Sequence, residues 1–403
     1  MGISNVIFLN DYGCVNGGTS KIAIYEAIEL KRRGLGVVFF CGVEPIDPTL
    51  DAVGIKVVCT RQKDILHDNR LKAIFAGVWN RKARIVLKSI LEQYSPNDTV
   101  IHIHGWTKCL SPSVLNVGDK MGFKTYITLH DFFLFCPNGG LFNYQKCEIC
   151  SIKPMSANCM ITHCDARSRL QKYWRVLRQL VQNQVLKKNH RIQFISISKL
   201  SDRLFIENRP VWQNRHRRID NLVDFTNNMS GKLNERGHYL FIGRLSEEKG
   251  AKLFLEAMKQ LKLIGEVWGD GYLMDELVRN YPDAIFRGWV NANEKQVFLS
   301  NIKALVFPSI WYETFGLVVA EMLANNIPCI VGNKTAAAEL IKEGKNGYLF
   351  ETGNLDSLKS AILKMEKSHG DLSPLKYFET NKYAKEYHIE RLMSYYTEIC
   401  STN

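Results

Sequence analysis

Residues 313 to 321 read ETFGLVVAE, two carboxylates bracketing an apolar run with one glycine, directly after VFPSIWY. Were all nine residues helical, Glu313 and Glu321 would stand ~80° apart around the axis. A loop that turns into a helix near Phe315 or Gly316 is the better reading. Glu313 then lies at the mouth of a cleft, the amides around Phe315, Gly316 and Leu317 face any anion there, and Glu321 looks up from about one turn inside. That arrangement suits a phosphate-bearing ligand with hydroxyls at both ends, because a helix N-terminus attracts phosphate and carboxylates accept hydrogen bonds from sugar hydroxyls. A capped helix with a surface glutamate explains the same spacing.

A second stretch, GRLSEEKG, puts Arg244 and Lys249 on another strand-to-helix loop, where two long cations can clamp a diphosphate leaving group. Taken alone, a solvated surface pair is the simpler account of them. The two stretches gain weight together, since both occupy loops that leave strands of one sheet.

The elements that must position these loops are legible as apolar runs alternating with amphipathic segments, the pattern of parallel sheets with crossover helices. In the second half HYLFIGRL, IGEVWG, AIFRGWV, ALVFPSI, IPCIVG and GYLFE read as strands, with helical stretches between them. The first half opens with NVIFLND, a glycine turn GCVNGGTS, a helix KIAIYEAIELKRRG and a strand VVFFCG, and continues with TVIHIHG, KTYITLHD and RIQFISIS. A polar stretch at residues 220–237, rich in Asn and Gly, marks the boundary. The expected division is a first domain over 1–225, a second over 226–372 and a terminal helical segment over 373–403. The sheets predict two doubly wound Rossmann-like domains facing across a cleft, with ligands at the carboxyl ends of their strands.

The chain has 403 residues and a net charge of +13. Residues 1–225 hold 32 Lys/Arg against 18 Asp/Glu, and the rest hold 21 against 22. Such asymmetry points the first half toward an anionic surface or polymer. No nucleic-acid recognition motif accompanies the charge, which argues against that partner. No apolar run approaches the ~18 residues of a membrane span, and the N-terminus carries no secretory pattern, so a cytoplasmic protein is expected.

FIGRLSEEKG, followed by VWGDG, FRGWV and PSIWYETFGLVVAEMLANNIPCIVG, resembles the donor-binding domain of the family-four retaining glycosyltransferases of GT-B fold, over nearly the whole second domain. The first domain is similar in outline: an early Gly-Gly loop, a mid-domain His, LHD, and an SIS strand before the boundary. The resemblance implies that Glu313 contacts the donor sugar and Glu321 the nucleotide ribose, and that Arg244 and Lys249 hold the diphosphate. Thr314, Phe315, Gly316 and Leu317 would lie along the donor. Gly243 would bind the donor as well, and Gly269 and Gly271, with Arg287, Trp289 and Val290, would wall the base pocket. Gly17 and Gly18 match the loop that nears the phosphates and acceptor, and His130 with Asp131 match the pair that reaches the transferred sugar. His104 ends another strand, where it either lines the same cleft or is a buried structural residue. The family chemistry needs no metal, and no Asp-x-Asp motif occurs in the sequence. It also implies that the C-terminal helix returns to the first domain.

Five of the eleven cysteines cluster within residues 136–164: Cys136, Cys147, Cys150, Cys159 and Cys164. A Cys-x2-Cys pair with further thiols fits a structural zinc, with disulfides or unliganded thiols as the other readings. Residues 167–191 contain eight Lys/Arg and no acid, with Leu170, Tyr173, Trp174, Leu177, Leu180 and Val181 at helical spacing. That helix either rests on an anionic membrane surface or packs its apolar stripe on the first sheet. The expected activity is transfer of a sugar from a nucleotide-sugar donor to a glycan or diphosphate-lipid-linked acceptor in surface-polysaccharide assembly, with the enzyme peripheral at the inner face of the cell membrane. A nucleotide-sugar epimerase, a phosphorylase or a non-catalytic glycan- or nucleotide-binding protein are the competitors.

Overall fold

The computed structural model describes residues 2–64, 70–223, 237–368 and 371–400. The chain divides into two compact units, Met1–Gly140 with Ile152–Leu222 and Glu386–Asn403, and Leu141–Ser151 with Val223–Lys385. The boundary expected at 225/226 falls within 224–236, outside the described residues.

The first unit contains strands β1 (Asn5–Tyr12), β2 (Gly36–Val43), β3 (Lys56–Cys59), β4 (Thr99–Ile103) and β5 (Lys124–Thr128). A short antiparallel hairpin, β6 (Phe142–Asn143) and β7 (Glu148–Ile149), belongs to the second unit. β8 (Ile192–Ser196) and β9 (His216–Arg218) complete a parallel seven-stranded sheet in the order β3-β2-β1-β4-β5-β8-β9. The second unit has β10 (His238–Ile242), β11 (Gly265–Trp268), β12 (Ile285–Gly288), β13 (Ile302–Phe307), β14 (Cys329–Gly332) and β15 (Gly347–Phe350). These are parallel in the order β12-β11-β10-β13-β14-β15.

Central strands covered on both faces must be apolar at every position, which is why runs such as VIFL in β1 and ALVF in β13 do not alternate. Val6 to Leu9 and Ala304 to Val306 are all fully buried. In each sheet the strand order reverses once, between β1 and β4 and between β10 and β13. Ligands bind outside the carboxyl ends of strands at such reversals.

The C-terminal helix Lys385–Cys400 joins the first unit's core: Ile389, Leu392, Tyr395 and Tyr396 pack with Phe8, Phe39 and Tyr126. Tyr126 also donates its hydroxyl to the Tyr395 carbonyl at 3.2 Å. Burying four large side chains at ~1.5–3 kcal/mol each holds this helix to the first sheet, although the chain reaches it only after completing the second.

The basic helix Arg169–Lys188 packs the opposite way from the expected stripe. Lys172, Arg178, Gln179 and Gln182 are buried together with Val176, Val185 and Leu186. Leu170, Tyr173, Leu177 and Leu180 are instead 47–80% exposed. The cause is the loops beneath it, whose carbonyls lack strand partners and need donors. Arg178 donates to the Thr107 carbonyl at 2.9 Å, Gln179 to that of Leu134 at 3.0 Å and Gln182 to that of Phe133 at 2.8 Å.

Candidate active site

The loops that leave β10 and β13 meet across the reversal of the second sheet. Lys249 Nζ lies 2.7 Å from Glu313 Oε1, and the Ile310 amide donates to the Glu248 carbonyl at 2.9 Å. Ser309 Oγ and Trp311 Nε1 each donate to the same Glu313 oxygen at 2.8 Å. Lys249 also sits 5.0 Å from the centre of the Trp311 ring. Burial pushes the Glu313 carboxyl up, but the Lys249 charge and these three donors outweigh it and hold the group below its ordinary range. All three bonds converge on Oε1, so Oε2 has no partner among the described residues and can accept a ligand hydroxyl. Arg244, at the start of the β10 loop, is exposed and makes no ion pair among the described residues.

Gly316 precedes the helix Leu317–Ala324 with φ 96°, a left-handed conformation that glycine adopts without strain. A Cβ there would come 2.5 Å from that of Ala337, so the tight turn that aims the helix N-terminus at the site requires a glycine. Glu321 lies inside this helix and pairs with Lys295 at 2.6 Å. The Phe315 side chain is buried 5.7 Å from the Tyr383 ring, so that residue can offer a ligand only its backbone, beside half-buried Thr314.

The residues expected to wall the base pocket divide. A Cβ on Gly269 would meet the Gly243 carbonyl at 2.0 Å and one on Gly271 the Leu245 carbonyl at 2.3 Å. Contact between the loops after β10 and β11 therefore accounts for these glycines without a ligand. Arg287 pairs with buried Glu266, which also accepts from Trp268 Nε1 at 2.8 Å, and its guanidinium lies 3.9 Å from the centre of Phe298. Its charge is thus engaged inside the unit. Trp289 is 73% exposed, with Val290 half-buried beside it.

In the first unit Gly17 and Gly18 open the helix Gly18–Arg32 after β1, with open space around Gly17. His104 follows β4 and His130 follows β5, and their Nδ1 and Nε2 atoms lie 2.9 Å apart. His104 is 2% exposed, so it reaches a ligand only through His130. Burial, reinforced by His104, pushes His130 down to about 3, and burial pushes Asp131 up to about 6. Asp11, buried at the end of β1, accepts from the Lys108, Cys109 and Leu110 amides at 2.8–2.9 Å and fixes the loop after His104.

The five clustered thiols separate. Cys147 and Cys150 go with the hairpin in the second unit, whereas Cys136, Cys159 and Cys164 are buried in the first. There the Lys172 ammonium lies 3.2 Å from Cys164 Sγ and 3.7 Å from Cys159 Sγ, where a cation already occupies the space between thiols. Among the described residues the only three metal-ligating side chains whose ligand atoms fall within 4.8 Å of one another are Glu26, His102 and His104. The thiols do not fit one tetrahedral zinc site.

Sequence reading missed Ser309, Trp311, Lys295 and Glu266, which hold the recognised residues. It also missed Asp11, Glu26 and His102. Ser309 and Trp311 stood inside the quoted motif PSIWYETFG; the others carry no spacing signal, because they meet their partners only through the sheet.

The two parallel sheets and these loops define a GT-B glycosyltransferase fold. The sucrose-phosphate synthase of Thermosynechococcus elongatus superposes with a TM-score of 0.72 at 16% identity, covering 99% of this chain and 100% of the other. Anabaena HepE in complex with UDP superposes at 0.65 with 15% identity, covering 99% and 100%. Residues 225–387 match the model of the family described as Glycosyl transferases group 1. The UDP-Gal:alpha-D-GlcNAc-diphosphoundecaprenol alpha-1,3-galactosyltransferase of Escherichia coli is 30% identical over 147 residues, 32% of this chain and 37% of that protein. The matched stretch thus spans about a third of the curated relatives' length.

Proposed function

We propose that this protein is a retaining, metal-independent glycosyltransferase that moves a sugar from a nucleotide-sugar donor to a diphosphate-lipid-linked glycan. The observation that carries the reading is the Lys249–Glu313 pair at the strand-order reversal, with Arg244 and a helix N-terminus on the same loops. Charge that grows on the departing diphosphate is met by Arg244, Lys249 and the helix amides, which do the work a metal does elsewhere. Glu313 Oε2 accepts from a hydroxyl of the transferred sugar, and Glu321 accepts from the ribose once Lys295 yields. The UDP in HepE and the UDP-galactose named for the E. coli relative support a nucleoside diphosphate donor. His130 and Asp131 are assigned to the transferred sugar on the resemblance of LHD alone.

The acceptor side is favoured by charge. Lys108, half-buried near Asp131, is the cation this side offers an anionic carrier lipid. The exposed Leu170, Tyr173, Leu177 and Leu180 continue onto exposed Ile74 and Phe75, since Trp174 Nε1 bonds the Ile74 carbonyl at 2.9 Å. Exposed Lys72, Arg169, Lys187 and Lys188 flank this apolar surface, a combination that suits an anionic leaflet where lipid-linked acceptors reside. No helix among the described residues is long and apolar enough to cross a membrane.

The test is transfer from UDP-glucose, UDP-galactose or GDP-mannose to N-acetylglucosaminyl-diphosphoundecaprenol in anionic vesicles, with the new linkage read by NMR. An α-linked product from one α-configured donor, with full rate in excess chelator, supports the proposal. An inverted linkage, strict dependence on added metal, or epimerised donor with no acceptor consumed would overturn it.

A further inference from the structure

At the edge of the first sheet lies a pair of thiols to which sugar transfer assigns no part. Cys41 on β2 and Cys59 on β3 are direct partners in the parallel register. Residues paired in that way point to the same face, and strands ~4.8 Å apart fall inside the Cα separation of ~4.4–6.8 Å that a disulfide bridges. Cys41 is fully buried, whereas Cys59 is half-buried and within reach of small solutes. Two residues past Cys59, Arg61 takes a left-handed backbone, φ 51°, which a residue other than glycine adopts only at a cost. That turn brings the Arg61 amide to 3.4 Å from Cys59 Sγ. An amide can only donate, so the Cys59 sulfur accepts there, and Cys41 donates its S–H to the same sulfur. The charges around the pair are Arg61 itself, bonded to Glu44 at 3.0 Å, and Lys82 on the helix Arg81–Leu91, which donates to the Thr60 carbonyl at 2.6 Å. Cys109, also buried, is the further thiol near Cys41.

We propose that Cys59 and Cys41 form a hydroperoxide-reactive dithiol, with Cys59 the attacking sulfur and Cys41 the resolving one. In the first step the Cys59 thiolate attacks one oxygen of a hydroperoxide. An S–O bond forms, the O–O bond breaks, and the departing alkoxide or hydroxide takes up a proton. The sulfur gives up two electrons and becomes a sulfenic acid. Cys41 then attacks that sulfur: the S–S bond forms, the S–O bond breaks, and hydroxide leaves with the Cys41 proton as water. Two thiols and one hydroperoxide thus give one disulfide, one water and one alcohol, or a second water where the oxidant is hydrogen peroxide. The thiolate is the nucleophile in such chemistry, and the surroundings of Cys59 favour it. The Cys41 hydrogen bond, with the Arg61 amide and charge, outweighs burial and the Glu44 charge and brings the Cys59 thiol down to about 7. The same hydrogen bond, together with burial, pushes Cys41 up, so it keeps its proton for the second step. Cys147 is more exposed, yet burial and the charge of Glu247 push it up. Exposure alone selects Cys147, whereas the geometry of the pair selects Cys59.

The test uses the whole reduced chain and does not depend on the sugar-transfer reading. Alkylation by iodoacetamide is followed at each cysteine by peptide mass spectrometry between pH 5 and 10. The Cys59 rate should have its midpoint near 7, and that of Cys147 should lie above the ordinary ~8.5. Brief exposure to hydrogen peroxide should then remove two hydrogens from the mass, join the Cys41 and Cys59 peptides, and be undone by dithiothreitol. Cys59→Ser should abolish the link. Cys41→Ser, which keeps a hydroxyl donor beside Cys59, should leave a Cys59 sulfenic acid that dimedone traps. The midpoint and the link are both read on the wild type, so they decide the matter even where a variant fails to fold. A Cys59 midpoint at ~8.5 or above, peroxide links that bypass Cys41 and Cys59, or a folded Cys41→Ser with no dimedone adduct at Cys59 would each overturn the dithiol.

Discussion

Replacing Lys249 by Met removes the cation from beside a carboxylate that is only 13% exposed and leaves Glu313 with Ser309 and Trp311. Breaking a buried ion pair from one side costs ~3–5 kcal/mol. With Lys249 itself 19% exposed, the lower end applies, about 3 kcal/mol. For a unit of this size 1 kcal/mol shifts Tm by ~2–4 °C, so the ligand-free variant should melt ~6–12 °C below the wild type at pH 7. The pH dependence carries the sharper test. In the wild type Glu313 is held low, so its contribution is present above the unfolded value of ~4.3 and is lost as pH falls through the folded one. Without Lys249, burial dominates and the folded value rises above ~4.3, so the carboxylate destabilises the fold as pH climbs past that point. The Tm deficit should therefore be largest near neutrality and shrink toward pH 4, and Lys249→Met/Glu313→Gln should recover much of it. Scanning calorimetry from pH 4 to 8 measures this. A deficit that is flat with pH, or strictly additive single variants, would refute the argument.

Glu313→Ala should leave a folded protein whose transfer rate is ~10²–10³-fold lower, the usual cost of losing a group that stabilises a transition state; equal rates in purified mutant and wild type would remove Glu313 from the chemistry. Gly316→Ala forces φ 96° on a residue with a Cβ 2.5 Å from Ala337 and should cost ~2–3 kcal/mol by chemical denaturation, whereas an unchanged midpoint would mean that the turn relaxes freely. Burial raises Asp131 to about 6, so its ionisation opposes folding increasingly from pH ~4 up to 6. Asp131→Asn should raise Tm at pH 7 and not at pH 4, and a Tm gain that is the same at both would contradict that environment. Leu177→Glu with Leu180→Glu, both on the exposed stripe, should release the protein from vesicles rich in phosphatidylglycerol without lowering Tm; retention would move the contact surface elsewhere.

The alternation of apolar runs revealed both sheets because doubly covered strands must be apolar at every position, and β1 and β13 are read from their letters alone. The donor loops were readable for a related reason: GRLSEEKG and WYETFG follow their strands immediately, so topology brings Lys249 to Glu313 without further information. For the basic helix the sequence left two readings, and packing of the apolar stripe on the first sheet is the one the structure excludes, because an amphipathic pattern names a stripe without naming what lies underneath. Loop carbonyls at Thr107, Phe133 and Leu134 recruit its Arg and Gln side chains instead. The cysteine spacing left zinc, disulfides and free thiols open, and the hairpin at Leu141–Ser151 assigns Cys147 and Cys150 to a different unit from the other three thiols. Glu26 and His388 are 362 positions apart, and only the return of the C-terminal helix to the first sheet joins them.

The central claim is that cations on the loops of the second sheet bind a nucleoside diphosphate. Calorimetric titration of UDP, GDP and ADP into wild type and Arg244→Ala addresses it most directly, because Arg244 is exposed and unpaired among the described residues, so its loss spares the fold. One of the three should bind at one per chain and weaken ~10–150-fold in Arg244→Ala, the equivalent of a charge-assisted bond of ~1.5–3 kcal/mol. Binding of none of them, or equal affinity in both proteins, would contradict the account.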